Sequence, residues 1–342
     1  MITRAVPHDS EHELVLECID QAAGYHAIIA LHSTRLGPAV GGTRYWSYPS
    51  LREATTDALR LSRGMTFKCA VAGLDLGGGK SVILSSPDAD RTALFRAHGR
   101  AIQSLGGRYV TGEDVGTSPT DMEIVRQETP YVAGLPSLSG DPSPVTARGV
   151  FRAIAAAAQH RWGSDSVVGR TVAVQGCGNV GGSLARLLAQ AGASVLVSDI
   201  DLARANAVAR DTGGRTVATD QIYEVAADIL APCALGGVLN ANTIPQLNVA
   251  IVAGGANNQL AQEADADTLA ARNILYVPDF VANAGGVMNG CREVLGWDQA
   301  ASHRRVDGIF DTVLEILQTA EREQITPHQA AYQLALRRLG RE

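Results

Sequence analysis

Thr171–Gly182 reads TVAVQGCGNVGG, a short β-branched strand that runs straight into three glycines spaced G-x-G-x-x-G. Alone the pattern is weak, because glycine is common and the motif short. Its context strengthens it. SLARLLAQ (Ser183–Gln190) follows with the apolar spacing of a helix, SVLVS (Ser194–Ser198) reads as a second strand, and Asp199 closes that strand 23 positions after Gly176. In a dinucleotide site Gly176 permits the turn, Gly178 lets the backbone approach a pyrophosphate, Gly181 lets helix and strand pack closely, and the helix N-terminus attracts the anion. Asp199 would accept hydrogen bonds from ribose hydroxyls and repel a 2′-phosphate, which favours NAD over NADP; Asp201 is close enough to share that role.

Outward from this motif, further strands are expected at Asp228–Leu230, Ala250–Ala253 and Ile274–Val277, the alternation of a parallel sheet. A helix from about Val145 to His160 precedes the motif, and the turn-rich stretch Leu135–Ser143 reads as a linker. The 342 residues exceed the usual size of one domain. The expected fold class is therefore α/β with two domains and a cleft between them: a Rossmann-type NAD-binding domain over residues 141–321, and a substrate and oligomerisation domain over 1–140, rejoined by about 322–342. Within the first domain, strands are expected at His26–Ser33, Lys68–Leu74, Val82–Ser86 and Tyr109–Val110, with helices at Leu51–Arg63 and Arg91–Leu105. Helices at Ile309–Ala320 and Pro327–Leu339 are expected to carry the chain back.

Composition narrows the function. The net charge is −6 and no basic run is interleaved with aromatics, so nothing recruits nucleic acid or an anionic membrane. No apolar run approaches the roughly 18 residues a membrane span needs, and the N-terminus has neither a signal-peptide core nor a transit pattern, so a cytoplasmic location is expected. Five scattered cysteines without a CxxC pair argue against disulfides and structural zinc. The eight histidines lack ligand spacing, so no metal is expected, and they read as surface or capping residues. Small-molecule chemistry remains.

The chemistry is expected in the first domain. VAGLDLGGGKSVIL (Val71–Leu84) delivers Lys80 behind three consecutive glycines, read as a glycine turn. A P-loop would require glycine at position 74, which is Leu74, so the phosphate-clamp reading fails by one residue. Three segments carry charge at a strand end or in a glycine turn: GMTFK (Gly64–Lys68), GGGK (Gly77–Lys80) and TGEDV (Thr111–Val115). Two lysines and a carboxylate can divide the labour, one lysine neutralising a substrate carboxylate, the other acting as a catalytic amine, and Asp114 transferring protons.

Together with LGPAVGGTR (Leu36–Arg44), GDPSPVTARGV (Gly140–Val150), APCALGG (Ala231–Gly237), GANNQL (Gly255–Leu260) and PDFVANAGG (Pro278–Gly286), these segments resemble the glutamate/leucine/phenylalanine/valine dehydrogenases, and within them the short leucine, phenylalanine and valine type. The resemblance runs from about Ala27 to the C-terminus. It implies oxidative deamination of an L-amino acid, with NAD taking the Cα hydride. Carried over by motif, Lys80 and Asp114 are catalytic, while Lys68 binds the α-carboxylate with the help of Gly41 and Gly42, and Met65 also contacts substrate. Asn257 and Asn283 orient substrate and nicotinamide, and Thr146 contacts the carboxamide. Asn179, Val180, Ile200 and Ala234 join the fingerprint glycines and Asp199 at the cofactor. Relatives associate through the first domain, so a homo-oligomer is expected.

Glutamate-specific relatives carry a lysine where this chain has Val40, so glutamate should be a poor substrate. By resemblance the side-chain pocket includes Val40, Gly112, Val287 and Gly290. Glycine at 112 and 290 would enlarge it for an aromatic ring, and the reading leans to phenylalanine-like or broad hydrophobic use. Two other classes compete: a non-catalytic NAD-binding regulator, which would lack Lys68, Lys80 or Asp114, and a 2-hydroxy-acid dehydrogenase, which wants a histidine–carboxylate pair beside the nicotinamide. None of the three residues is lost, and no histidine falls in a motif.

Overall fold

A computed structural model of the protein describes residues 1–7, 11–85, 89–135 and 139–340. Pro136–Leu138 of the expected linker, and Ser86 at the end of an expected strand, lie outside the described residues. The chain falls into two units, Met1–Gly140 with Gly290–Asp298 and Ala335–Glu342, and Asp141–Asn289 with Gln299–Leu334.

The first unit contains β1 (Ile2–Ala5), β2 (Leu14–Asp20), β3 (Tyr25–Ser33), β4 (Ala39–Val40), β5 (Thr43–Trp46), α1 (Leu51–Val71), β6 (Gly77–Leu84), α2 (Arg91–Gln103), β7 (Tyr109–Val110) and α3 (Pro119–Arg126). Its sheet runs β1-β2-β3-β6-β4-β7, with β5 also on β6. The strand period of two divides the core. Ile28, Ala30 and Val82 pack with Ala54 and Ala58 of α1, whereas Ile29, Leu31 and Ile83 pack with Leu94 and Phe95 of α2 and Met122 of α3.

Two expectations about this unit fail. Lys68–Leu74 is not a strand, because α1 continues through Gly64 to Val71 and the chain turns at Gly73, φ +66°. Ala54, Ala58, Ser62, Thr66 and Ala70 are all buried, an unbroken i, i+4 series of small residues that carries the helix past the expected stop. Gly77–Gly79 is not a turn either: all three glycines lie inside β6 and none has positive φ.

The second unit holds α4 (Ser143–Trp162), β8 (Thr171–Gln175), α5 (Asn179–Gln190), β9 (Ser194–Ser198), α6 (Leu202–Thr212), β10 (Arg215–Thr216), β11 (Ile229–Pro232), β12 (Ile251–Val252), α7 (Asp265–Ala271), β13 (Leu275–Tyr276), α8 (Asp279–Ala282) and α9 (Gly285–Gly290). It continues through α10 (Gln299–Asp307), α11 (Ile309–Glu323) and α12 (Pro327–Arg338); Gly290 at the end of α9 and the last residues of α12 belong to the first unit. Its six strands are all parallel, in the order β10-β9-β8-β11-β12-β13. This is the doubly wound dinucleotide-binding order, and the winding reverses between β8 and β11, where the fingerprint begins. Among the described residues no helix is long and apolar enough to cross a membrane.

Candidate active site

The glycines of β6 are there for close packing. A Cβ on Gly78 would lie 2.1 Å from the backbone nitrogen of Thr66, and one on Gly77 1.9 Å from the carbonyl of Ser33. α1 therefore settles directly on the strand, with Lys68 in its last turn. Lys80 pairs with Ala30, so its side chain lies on the sheet face that α1 covers. Gly41 and Gly42 join β4 to β5 under similar crowding. A Cβ on Gly41 would meet the Gly79 carbonyl at 1.8 Å and the Met65 Cγ at 3.3 Å, and one on Gly42 would meet the Asp114 Cβ at 2.8 Å. Met65, Gly41, Gly42, Lys80 and Asp114 are thus gathered at one end of the sheet. Gly41 spends its amide on the Val110 carbonyl and its own carbonyl on the Tyr109 hydroxyl.

Lys80 is 5% exposed and its Nζ lies 2.9 Å from the Asp114 Oδ2. The same oxygen receives the Arg44 Nε at 2.9 Å. Burial lowers the Lys80 pKa and the neighbouring Arg44 adds to this, although Asp114 opposes them. Burial alone would raise the Asp114 pKa, but Lys80 and Arg44 together hold it below the usual carboxylate range. The pair thus combines an ionised carboxylate with an amine that gives up its proton more readily than a solvated lysine.

The opposite face of β6 carries a buried polar network. The Ser81 Oγ approaches the Tyr109 hydroxyl at 3.1 Å, and Thr43 joins Ser81 at 2.8 Å, Thr111 at 2.6 Å and the His98 Nε2 at 2.8 Å. The Tyr25 hydroxyl meets the His98 Nδ1 at 2.9 Å. Burial pushes the His98 pKa down to about 3. Histidines 12, 32 and 98 are buried, contrary to the surface reading, because each finds hydroxyl partners inside the unit.

In the second unit, Gly176 adopts φ +94° and its amide donates to the Ser198 carbonyl at 2.7 Å. Ala234 sits against it, and a Cβ on Gly181 would lie 1.9 Å from the Gly176 carbonyl. Gly178 caps the N-terminus of α5 and has nothing within 4 Å of where its Cβ would be. Asn179 and Val180 begin the helix, with Val180 against Gly255. The Asp199 carboxylate accepts from the Cys177 amide at 2.7 Å, tying the second strand end to the glycine loop. Asp201 instead caps α6 through the Arg204 amide, which gives it a structural task apart from any ribose. Ile200 is 96% exposed. The Asn283 Nδ2 donates to the Asn257 Oδ1 at 2.8 Å, while its own Oδ1 is buried without a partner among the described residues. The Thr146 Oγ1 lies 2.8 Å from where a Cβ on Gly286 would be. An open glycine at a helix N-terminus, an acid at the next strand end and an unsatisfied buried carbonyl oxygen are features a dinucleotide with a carboxamide head would fit.

Of the expected pocket residues, Val40 is buried between Gly78 and Val110. Gly112 and Gly290 flank Ala133 and Gly134, with a Gly112 Cβ only 3.0 Å from the Ala133 carbonyl. Glycine at 112 therefore answers to close packing as well as to pocket room. Val287 lies in the second unit, in α9. A separate hollow lined by Arg44, Trp46, Tyr48, Asp57, Arg60 and Val115 contains neither Lys68 nor Lys80.

Sequence reasoning missed Arg44, Asp57 and His98. Arg44 stood in plain view at the end of LGPAVGGTR, but its partner Asp57 comes from α1 and carries no motif.

A model of the Glu/Leu/Phe/Val dehydrogenase dimerisation domain matches residues 12–131, and the Glutamate/Leucine/Phenylalanine/Valine dehydrogenase model matches 139–203 and 200–342. The chain is 47% identical over 333 residues to leucine dehydrogenase of Thermoactinomyces intermedius, covering 96% of this chain and 91% of that one. It is 44% identical over 339 residues to phenylalanine dehydrogenase of Caldalkalibacillus thermarum (strain TA2.A1), covering 96% and 92%. The crystal structure of L-tryptophan dehydrogenase from Nostoc punctiforme superposes with a TM-score of 0.89 at 45% identity, over 96% of each chain.

Proposed function

The chain belongs to the Glu/Leu/Phe/Val dehydrogenase family, and on that premise we propose that it carries out the reversible, NAD-dependent oxidative deamination of a hydrophobic L-amino acid to its 2-oxo acid and ammonia. The observation that carries this reading is the buried contact between the Lys80 Nζ and the Asp114 Oδ2, 2.9 Å. Gly176, Gly178, Gly181, Asp199 and Asn283 would hold NAD, which would supply the hydride acceptor. Asp114 accepts a proton from the substrate ammonium, because hydride leaves readily only from a neutral amine. Lys80, its proton loosened by burial, deprotonates the water that adds to the resulting iminium carbon. Lys68, in the last turn of α1, binds the α-carboxylate.

NAD is preferred to NADP on this reading because Asp199 would repel a 2′-phosphate, and Arg204 is drawn to Asp199 and Asp201 at 3.8 and 3.4 Å. Buried Val40 offers a glutamate side chain no counter-charge, so the pocket takes apolar side chains. Gly112 and Gly290 support aromatic or broad hydrophobic use. Apolar pockets discriminate a methylene by only about 1–3 kcal/mol, which fits a broad range. We infer a homo-oligomer formed through the first unit, to be checked by light scattering.

Lys80→Ala and Asp114→Asn should each lose several orders of magnitude in turnover while NADH still binds, read by steady-state rates and NADH fluorescence. Near-normal turnover in both would sink the reading. Ammonia-dependent reduction of 2-oxo acids separates it from its rivals, since NADH oxidation without ammonia would point to a hydroxy-acid enzyme and none with any substrate to a regulator. Oxidative turnover should rise with pH as Lys80 loses its proton, at a pH below the ordinary lysine value of ~10.4.

A further inference from the structure

Asp114 is shared between two cations. Its Oδ2 accepts from the Lys80 Nζ and from the Arg44 Nε, each at 2.9 Å. Arg44 is fixed at its other end, where its Nη1 donates to the Asp57 Oδ2 at 2.8 Å. Asp57 in turn receives the Tyr48 hydroxyl at 2.6 Å and Arg60 at 3.0 Å. The clamp draws on three elements: Arg44 comes from β5, which pairs with the strand of Lys80, Asp57 and Arg60 from α1, and Asp114 from the loop after β7. A guanidinium cannot act as acid or base near neutral pH, so the task of Arg44 is geometry and charge.

We propose that Arg44, braced by Asp57, is a positioning residue that holds the Asp114 carboxylate against Lys80 and sets the pH at which the Lys80 amine becomes active. This rests on the catalytic reading of Lys80 and Asp114 given above. The charge of Arg44 works with burial against protonation of Lys80 and helps to keep Asp114 ionised. Asp57, Arg60 and Tyr48 lie around Arg44, and Tyr109 senses the Asp114 charge.

The test measures pH profiles of amino-acid oxidation for R44Q, R44K and D57N, beside K80A and D114N, with NADH binding followed separately. R44Q should lower kcat on the order of 10–100-fold and move the rising limb to higher pH by about half a unit or more, with KM changed less than about threefold. R44K should restore the limb, because the charge returns, but only part of the rate, because an ammonium cannot fork between Asp57 and Asp114. If R44Q does not fold, D57N should lower kcat through the lost brace and move the limb to lower pH, because the Asp57 charge favours protonated Lys80 and its loss leaves the Arg44 charge unopposed. An unmoved limb in the folded variant, or R44K no better than R44Q, overturns the assignment. Near-normal turnover in K80A and D114N would instead overturn the catalytic reading; both inactive with an unmoved R44Q limb overturns only the role of Arg44.

Discussion

Two glycine triplets stand next to the chemistry and do opposite work. Around Gly77, Gly78 and Gly79 every would-be Cβ is blocked, by the Ser33 carbonyl at 1.9 Å, the Thr66 nitrogen at 2.1 Å and the Tyr109 ring at 2.8 Å. These glycines bring protein onto protein and leave Lys80 in a dry wall. In the fingerprint, Gly176 and Gly181 tighten the turn and the helix contact, but Gly178 faces open space. The first unit makes its site by burying the Lys80 amine against its partners; the second makes its site by leaving backbone uncovered. A buried charge then depends on every neighbour, whereas an exposed backbone amide depends on the turn that presents it.

The most direct attempt to break this contrast places the same methyl group in both triplets. Gly78→Ala should destabilise the protein by roughly 3 kcal/mol or more, or prevent folding, because the obstacle is helix backbone that cannot step aside. Gly178→Ala should leave the midpoint of thermal unfolding nearly unchanged and weaken NADH binding about tenfold, ~1.4 kcal/mol. Calorimetry and NADH titration read the two effects. Equal stability losses would mean that the triplets do the same job.

A smaller effect is expected at Asp199. Asp199→Ala removes the repulsion of a 2′-phosphate and releases Arg204, which lies 3.8 Å away. The ratio of kcat/KM for NAD over NADP should fall by about 10–100-fold, ~1–3 kcal/mol. Part of the loss with NAD will come from the glycine loop, since the Asp199 carboxylate also holds the Cys177 amide. An unchanged ratio would remove Asp199 from cofactor choice and leave it as a loop anchor.

The same contrast explains what could be read from the chain. The fingerprint was legible because strand, glycines, helix and acid are contiguous and each acts on its neighbours; only the helix-capping role of Asp201 escaped. Family motifs pointed to Lys80 and Asp114, yet the local structure around them was misread. Three glycines in a row signal a turn unless something elsewhere in the chain occupies the missing side chains, and here Thr66 and Ser33 do. The run from Lys68 is apolar enough for a strand or a buried helix, and the small-residue series from Ala54 to Ala70 settles it only once the sheet is in place. Arg44 was visible, but its meaning lies in Asp57 and Asp114, which α1 and the loop after β7 bring to it.

The dryness of the first unit can also be weighed through His98, with the smallest effect of the series. Its imidazole is fully buried, held between Tyr25 and Thr43, with its pKa pushed down to about 3. Because the folded pKa lies below the unfolded one of ~6.5, the unfolded chain takes up the proton first as the pH falls, so stability is full above pH ~6.5 and is lost toward pH 3. Between about pH 7 and 5.5 this amounts to about 1 kcal/mol. His328 in the second unit is lowered by burial as well, so the wild-type slope contains both histidines. His98→Gln should flatten the slope by its own share, about 1 kcal/mol over that interval, whatever it costs at neutral pH. Urea unfolding at several pH values reads the difference, and parallel slopes for the two proteins would mean that water reaches the His98 ring and that the network beneath Lys80 is wet.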